Sequence, residues 1–161
     1  MRGLSLASAV LAGALAACAA SQNGPPAGED LQPLRSPALR LQQSGLEDAA
    51  DQVIASEAAW IALWQHMTRN RLPAAPAPAV DFARYVVLVS SMGKQPGGGR
   101  EIRIGSLQTR DGKNLVQVME ISPGAGCIVT SGLTFPADIA LLARRLLPVE
   151  FVRSRQTRDC N

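Results

Sequence analysis

The sequence has few of the side chains on which most catalytic and nucleic-acid-binding sites depend. It contains one histidine, three cysteines and 4% aromatic residues, and it has no His-Glu-x-x-His, Cys-x-x-Cys or Gly-x-Ser-x-Gly motif. These absences argue against a zinc enzyme and a serine hydrolase. The 16 Lys and Arg residues are scattered among 13 Asp and Glu, so no nucleic-acid partner is expected. Neither a metal nor a cofactor is expected.

The N-terminal residues, by contrast, carry a specific pattern. After Met1-Arg2 comes an uncharged apolar run, Gly3–Leu15, which is too short to span a bilayer as a helix. The run ends in Leu15-Ala16-Ala17-Cys18, which resembles the processing site of a bacterial lipoprotein. The resemblance implies that residues 1–17 are a signal peptide and that the Cys18 thiol is acylated. Because Ala19 follows Cys18, the expected location is periplasmic, lipid-anchored, and at the outer rather than the inner membrane.

Two regions are expected after the lipidation site. Residues 18–37 contain four prolines, two glycines and few large apolar residues, and they predict a flexible tether because they bury too little apolar surface to offset the entropy of ordering. Residues 38–161 are long enough for one domain with its own core.

Cys127 and Cys160 remain as an even pair in an exported chain. A disulfide between them is favoured, and it would link the start of a middle strand to the C-terminal tail. The alternative is that Cys127 is a nucleophile paired with His66, the one histidine. That reading is weaker because no local motif supplies the orienting third group.

The patterns of the folded part predict an α+β domain, with one N-terminal helix packed on a mainly antiparallel β-sheet or a small sandwich. Ser56 is a suitable N-cap, and Trp60, Trp64 and Met67 recur at helical spacing, so a helix is expected over residues 57–69. The Asp111-Gly112 pair predicts a hairpin turn. The expected strands are 38–43, 52–54, 85–89, 101–107, 115–121, 127–135, 139–143 and 149–151, of which 139–143 is ambiguous between strand and helix.

The segment Gly93–Arg100 is the candidate binding loop. It lacks the helix and the Lys-Ser or Lys-Thr ending of a phosphate-binding loop, because its glycines lead into an alternating strand. Hairpin mobility alone would explain the glycines. The functional alternative is a protein-binding loop, since binding residues concentrate on loops held by a rigid sheet. Its residues would be Lys94, Gln95, Pro96, Gly97, Gly98, Gly99 and Arg100.

Several short motifs occur in an order that resembles the C-terminal domain of the PrcB family. They are Trp60-x-x-x-Trp64, Val80-Asp81-Phe82, Gly93-Lys94-Gln95-Pro96, Leu115–Glu120, Pro123-Gly124-x-Gly126-Cys127, Thr134-x-Pro136 and Pro148–Phe151. The resemblance covers residues 53–152. It implies a non-catalytic partner that stabilises or helps to assemble a bacterial surface protease complex. Arg100 stands where the family often has an aromatic residue after the glycines.

Together these features favour a non-enzymatic, lipid-anchored periplasmic protein that binds an envelope protein, such as a protease, through the Gly93–Arg100 loop. The alternative is a protease inhibitor acting through the same loop, which is loosely similar to the wedge loop of chagasin-like inhibitors. Gln95, the glycines and Arg100 replace the Asn, the threonines and the aromatic residue of that motif. An enzyme would need chemistry that the sequence does not reveal.

Overall fold

The computed structural model describes residues 30–39, 41–70, 73 and 75–160. The predicted signal peptide, the lipidation site Cys18 and most of the predicted tether lie outside these residues. The described elements, in chain order, are β1 (Leu31–Pro33), β2 (Ala49–Ile54), α1 (Glu57–Thr68), β3 (Tyr85–Met92), β4 (Gln95–Gly97), β5 (Glu101–Arg110), β6 (Lys113–Pro123), β7 (Ser131–Thr134), β8 (Ala137–Ala143), a short 3-10 helix (Arg144–Leu146) and β9 (Val149–Arg158).

The first sheet is antiparallel, with the strand order β1-β8-β3-β2. Its central strand β3 is the apolar run that the sequence predicts to be buried on both sides, and Val86 to Val89 are almost fully buried. The ambiguous segment 139–143 belongs to β8, all of whose residues are buried. Leu88 of β3 faces Ala140 of β8 across the ladder.

The helix α1 covers one face of this sheet. Ser56 caps it by accepting a hydrogen bond from the Ala59 amide at 3.4 Å. The predicted stripe of Trp60, Trp64 and Met67 is buried against alternate residues of β3 and β8. The helix is confirmed, but it is not N-terminal, because β1 and β2 precede it.

A three-stranded sheet, β5-β6-β9, packs against the opposite face. The core between the two sheets contains Val86, Leu88 and Leu142 of the four-stranded sheet. It also contains Val116 and Val118 of the three-stranded sheet. The β5–β6 hairpin turns at the predicted Asp-Gly pair, where both residues have positive φ. β9 pairs with β6 in parallel, from Asn114 and Val149 to Pro123 and Arg158.

Three predicted features differ from the structure. The described residues within 38–43 form turns and one isolated bridge from Gln43 to Phe135, because Leu39 and Leu41 pack into the core without a ladder. Leu31–Pro33, placed in the tether by the prediction, is strand β1 because it finds a partner in β8. Of the strand predicted at 127–135, only Ser131–Thr134 is observed as a strand, β7. The strands form sheets of four, two and three members among the described residues, which does not confirm the predicted sandwich.

Candidate functional site: a pair of packed loops

The predicted disulfide is confirmed. Cys127 and Cys160 are bonded, with their Cα atoms 5.0 Å apart. The amide of Gly124 also donates to the Arg158 carbonyl at 2.9 Å. Residues 124–133, which we call the apolar loop, are therefore tied at their base to the end of β9.

The nucleophile hypothesis for Cys127 is not supported, since that sulfur is in the disulfide. His66 lies exposed on α1, where it contacts the Gly45 carbonyl oxygen at 3.3 Å and the Arg69 guanidinium. The structure therefore gives no catalytic pairing between these two residues.

The segment Gly93–Arg100, which we call the glycine loop, is packed against the apolar loop. Its strand β4 pairs with β7, and the Gly98 amide donates to the Thr130 carbonyl at 2.9 Å. Thr134 Oγ1 donates to the Gly97 carbonyl at the same distance. Gly97 and Gly98 are both buried, so bare hairpin mobility is a poor explanation of these glycines.

The lack of side chains is what permits this close packing. A Cβ atom on Gly98 would overlap Thr130 Oγ1, and one on Gly99 would lie 2.8 Å from Cγ1 of Val129. Such distances are well inside van der Waals contact, so a larger residue at either position would force the Thr130 or Val129 side chain to shift. The glycines form a flat support for the apolar loop.

The predicted binding residues divide into three groups: exposed, buried and half-buried. Lys94, Pro96 and Gly99 are exposed, whereas Gly97 and Gly98 are covered by the apolar loop. Gln95 is half-buried and its side-chain amide donates to the Met92 carbonyl at 2.8 Å. Arg100 is half-buried and lines a cavity between the loops.

The apolar loop itself exposes three large hydrophobic side chains. Ile128 is fully exposed, and Val129 and Leu133 are 40% and 52% exposed. Sequence reasoning missed them because a strand was expected here. The signal was the adjacent pair Ile128-Val129, since consecutive residues of a strand point to opposite faces, and a strand that is covered on one face only, unlike β3, leaves one of them exposed.

Charged groups line the cavity between the two loops, which has a volume of about 340 Å³. Arg100, Glu101 and Arg158 lie in its wall. Glu101 accepts hydrogen bonds from Arg103 at 2.5 Å and from Arg158 at 2.8 Å. The hydrogen bond from Arg103, above all, lowers the pKa of Glu101 below the usual value for glutamate. The site thus combines an apolar projection with a wall of paired charges.

No group of three or more His, Cys, Asp or Glu side chains in the described part of the chain is arranged to hold a metal ion. No helix within those ranges has the length and apolar character needed to cross a membrane.

Comparison with known proteins gives one match. No curated protein and no solved structure matches the chain at a significant level. Residues 86–142 match the family model described as PrcB C-terminal. These residues run from β3 to β8 and include both loops. Over this part, the chain resembles the PrcB C-terminal domain family, as its motifs predict.

Proposed function

We propose that this protein is a non-catalytic, lipid-anchored periplasmic protein that binds another envelope protein and stabilises or assembles a protease complex. The family match supports an accessory role in a protease complex in general. The observation that carries the binding surface is the exposed apolar trio of Ile128, Val129 and Leu133 beside the glycine loop. These three exposed apolar side chains lie within six residues of one loop, and apolar surface concentrated in one place commonly marks a protein contact.

The rigidity of the two loops favours binding. The apolar loop is held by the disulfide at its base and by hydrogen bonds from the glycine loop. A surface that is already ordered loses little conformational entropy when a partner docks, so more of the contact energy is available for affinity.

Anchoring would increase the effect of this surface. Acyl chains on Cys18 would hold the protein at the membrane, where more than one chain gives stable attachment. A tether then raises the effective concentration of the domain toward other anchored proteins. Conversion of Cys18 to Ala should move the protein from the membrane fraction to the soluble periplasmic fraction. Retention at the membrane would contradict the anchoring part of the proposal.

The binding surface is tested by crosslinking in membranes followed by copurification. Ile128→Asp should reduce partner recovery about tenfold, because a carboxylate would have to be desolvated in the interface. Ile61→Asp is the matched control, since Ile61 is an exposed isoleucine on α1, 40% accessible, and it should leave recovery unchanged. Equal recovery from both variants, or no partner above background, would overturn the assignment.

Inhibition assays separate the proposal from the inhibitor alternative. The purified protein should not inhibit papain-like or subtilisin-like proteases, because a wedge loop has to project and the glycines at 97 and 98 are covered. Nanomolar inhibition that is lost on changing Pro96 would favour the inhibitor.

A further inference from the structure

Strand β9 presents a long edge that pairs with no other strand among the described residues. It lies at the end of the order β5-β6-β9 and runs for 10 residues. Its ladder with β6 is continuous from Val149 to Arg158 and has no register shift. The backbone groups along its outer side are therefore a regular template for another strand.

The other exposed edges are short or protected. β1 and β2 have three and six residues. β5 is as long as β9, but its register shifts between Ile104 and Leu107. Asp138 of β8 accepts a hydrogen bond from the Ile104 amide at 2.8 Å and so occupies part of that edge. Bulges and inserted carboxylates are common means of blocking strand addition, and neither occurs along β9.

Glu150 is exposed near the start of β9, but the charge exposed in its C-terminal half is positive. The side chain of Arg155 is 88% accessible, whereas Glu120, which accepts its hydrogen bond, is 13% accessible. Arg153 lies deeper, between Asp51 and the same glutamate. Glu120 thus lies below the Arg155 guanidinium, which faces solvent, while Arg153 is held between the two carboxylates and is 26% accessible.

This charge distribution selects among possible occupants. Antiparallel pairing of β9 with β9 of a second copy, centred on Ser154, would place Arg153 opposite Arg155 of the other strand, and opposed like charges destabilise a strand pair. An acidic strand would instead place carboxylates beside Arg155. Val152 and Met119, both 39% accessible, lie on the outer face of the same sheet and offer apolar contacts to alternate residues of an added strand.

The edge also leads to the proposed binding surface. The last residue of β9, Arg158, lines the cavity beside the glycine loop, and Cys160 carries the disulfide to the apolar loop. A segment lying along β9 would therefore end near Cys127, at the base of the apolar loop.

We propose that the edge of β9 binds an extended, acidic segment of the partner protein as a fourth strand of the β5-β6-β9 sheet. Main-chain hydrogen bonds would supply affinity, and the arginines and outer-face side chains would supply selectivity. The inference rests on the proposed function for the existence of a partner, but its test does not require the partner.

The probe is a short, capped peptide of alternating Glu and Val, with a peptide of alternating Lys and Val as its counterpart. The readout is amide hydrogen exchange of the full folded domain, with its disulfide intact. At a peptide concentration ten times its Kd, outward-facing amides within 149–158 should exchange about tenfold more slowly. The Lys-Val peptide should give no protection.

Charge variants localise the effect. Arg155→Glu should weaken binding of the acidic peptide about fivefold or more, because it replaces an exposed ion pair with a repulsion between two carboxylates. Arg110→Glu is the matched control, because Arg110 is 80% accessible at the far hairpin tip, and it should leave affinity unchanged. Thermal unfolding of both variants verifies that they are folded.

Several results would overturn the inference. One is that the amides of 149–158 show no protection up to the solubility limit of the acidic peptide. Another is that the two peptides bind equally, and a third is that the two variants bind the acidic peptide with equal affinity. Protection that rises with protein concentration in the absence of peptide would show self-pairing instead. If Ile128→Asp reduces partner recovery but the acidic peptide does not bind, only the inference about β9 fails. If the peptide binds but Ile128→Asp leaves partner recovery unchanged, only the assignment of the apolar loop as a binding surface fails.

Discussion

Gly93 and Gly112 have nearly the same backbone φ, +70° and +74°, but they differ in the space around them. A Cβ on Gly93 would lie 2.7 Å from the Ala49 nitrogen and 2.8 Å from the Glu47 oxygen, both of the backbone. Nothing lies within 4 Å of the same position on Gly112. The pair therefore separates the cost of a left-handed backbone from the cost of a steric clash.

We expect Gly112→Ala to lower the free energy of unfolding by about 1 to 2 kcal/mol through backbone strain alone. Gly93→Ala should cost about 1 to 3 kcal/mol more, because β2 and the glycine loop must move apart. Gly126→Ala serves as the unstrained reference, as its Cβ position is open and its φ is not positive. Urea denaturation measures all three, and equal losses at 93 and 112 would contradict the packing argument.

The lowered pKa of Glu101 has a consequence for stability below neutral pH. A carboxyl group whose pKa is lowered by folding stabilises the protein above its unfolded pKa, about 4.3, and this contribution is lost as the pH falls through the folded pKa. We therefore expect the stability difference between the protein and Glu101→Gln to shrink between pH 5 and pH 3.

Carbon-13 NMR titration of the Glu101 carboxyl group provides the direct measurement. The site should titrate below the ordinary value for glutamate because of the hydrogen bond from Arg103. A normal or raised value would mean that the contacts with Arg103 and Arg158 are not maintained in solution.

Among the elements, the apolar loop depends most on a single covalent bond. The Cys127–Cys160 disulfide spans 33 residues, and the loop-entropy relation gives about 3 to 4 kcal/mol for a closed segment of that length. The double variant Cys127→Ser, Cys160→Ser should lose about that much stability. Its amides in 124–133 should exchange faster, while those of α1 should keep their relative protection.

Denaturant unfolding and hydrogen exchange under oxidising and reducing conditions test this expectation. The double serine variant should not respond to reductant, whereas the native protein should. An unchanged exchange rate in 124–133 after reduction would show that the hydrogen bonds to the glycine loop hold the apolar loop by themselves.

Local signals in the sequence predict individual elements well. β3 was predictable because its residues are continuously apolar, and the β5–β6 turn because Asp-Gly readily adopts positive φ. The strand predicted at 38–43 was wrong because alternating leucines indicate only that alternate side chains are buried. Leu39 and Leu41 are packed into the core there without a partner strand. The candidate loop was located by its glycines, but its packed state depends on contacts with residues 129 and 130.

For the whole molecule, the sequence indicates the class of fold but not how the strands are divided among sheets. The helix stripe predicts which side of α1 faces the core, since 3.6-residue periodicity is a local property. The assignment of β8 to one sheet and β9 to another depends on pairings between residues far apart in the chain. The edge of β9 and its exposed arginines follow only once that division is known.

The parallel pairing of β6 with β9 also constrains the order in which the chain can assemble. Between β6 and β9 the chain forms β7 and β8, which belong to the other two sheets. β8 pairs with β3 before the chain enters the three-stranded sheet again as β9. The backbone hydrogen-bonding groups on one edge of β6 therefore stay unpaired until β9 is available. A nascent chain that stops short of residue 149 lacks this closing strand. We expect such a topology to postpone completion of the fold until residues 149–158 have been synthesised.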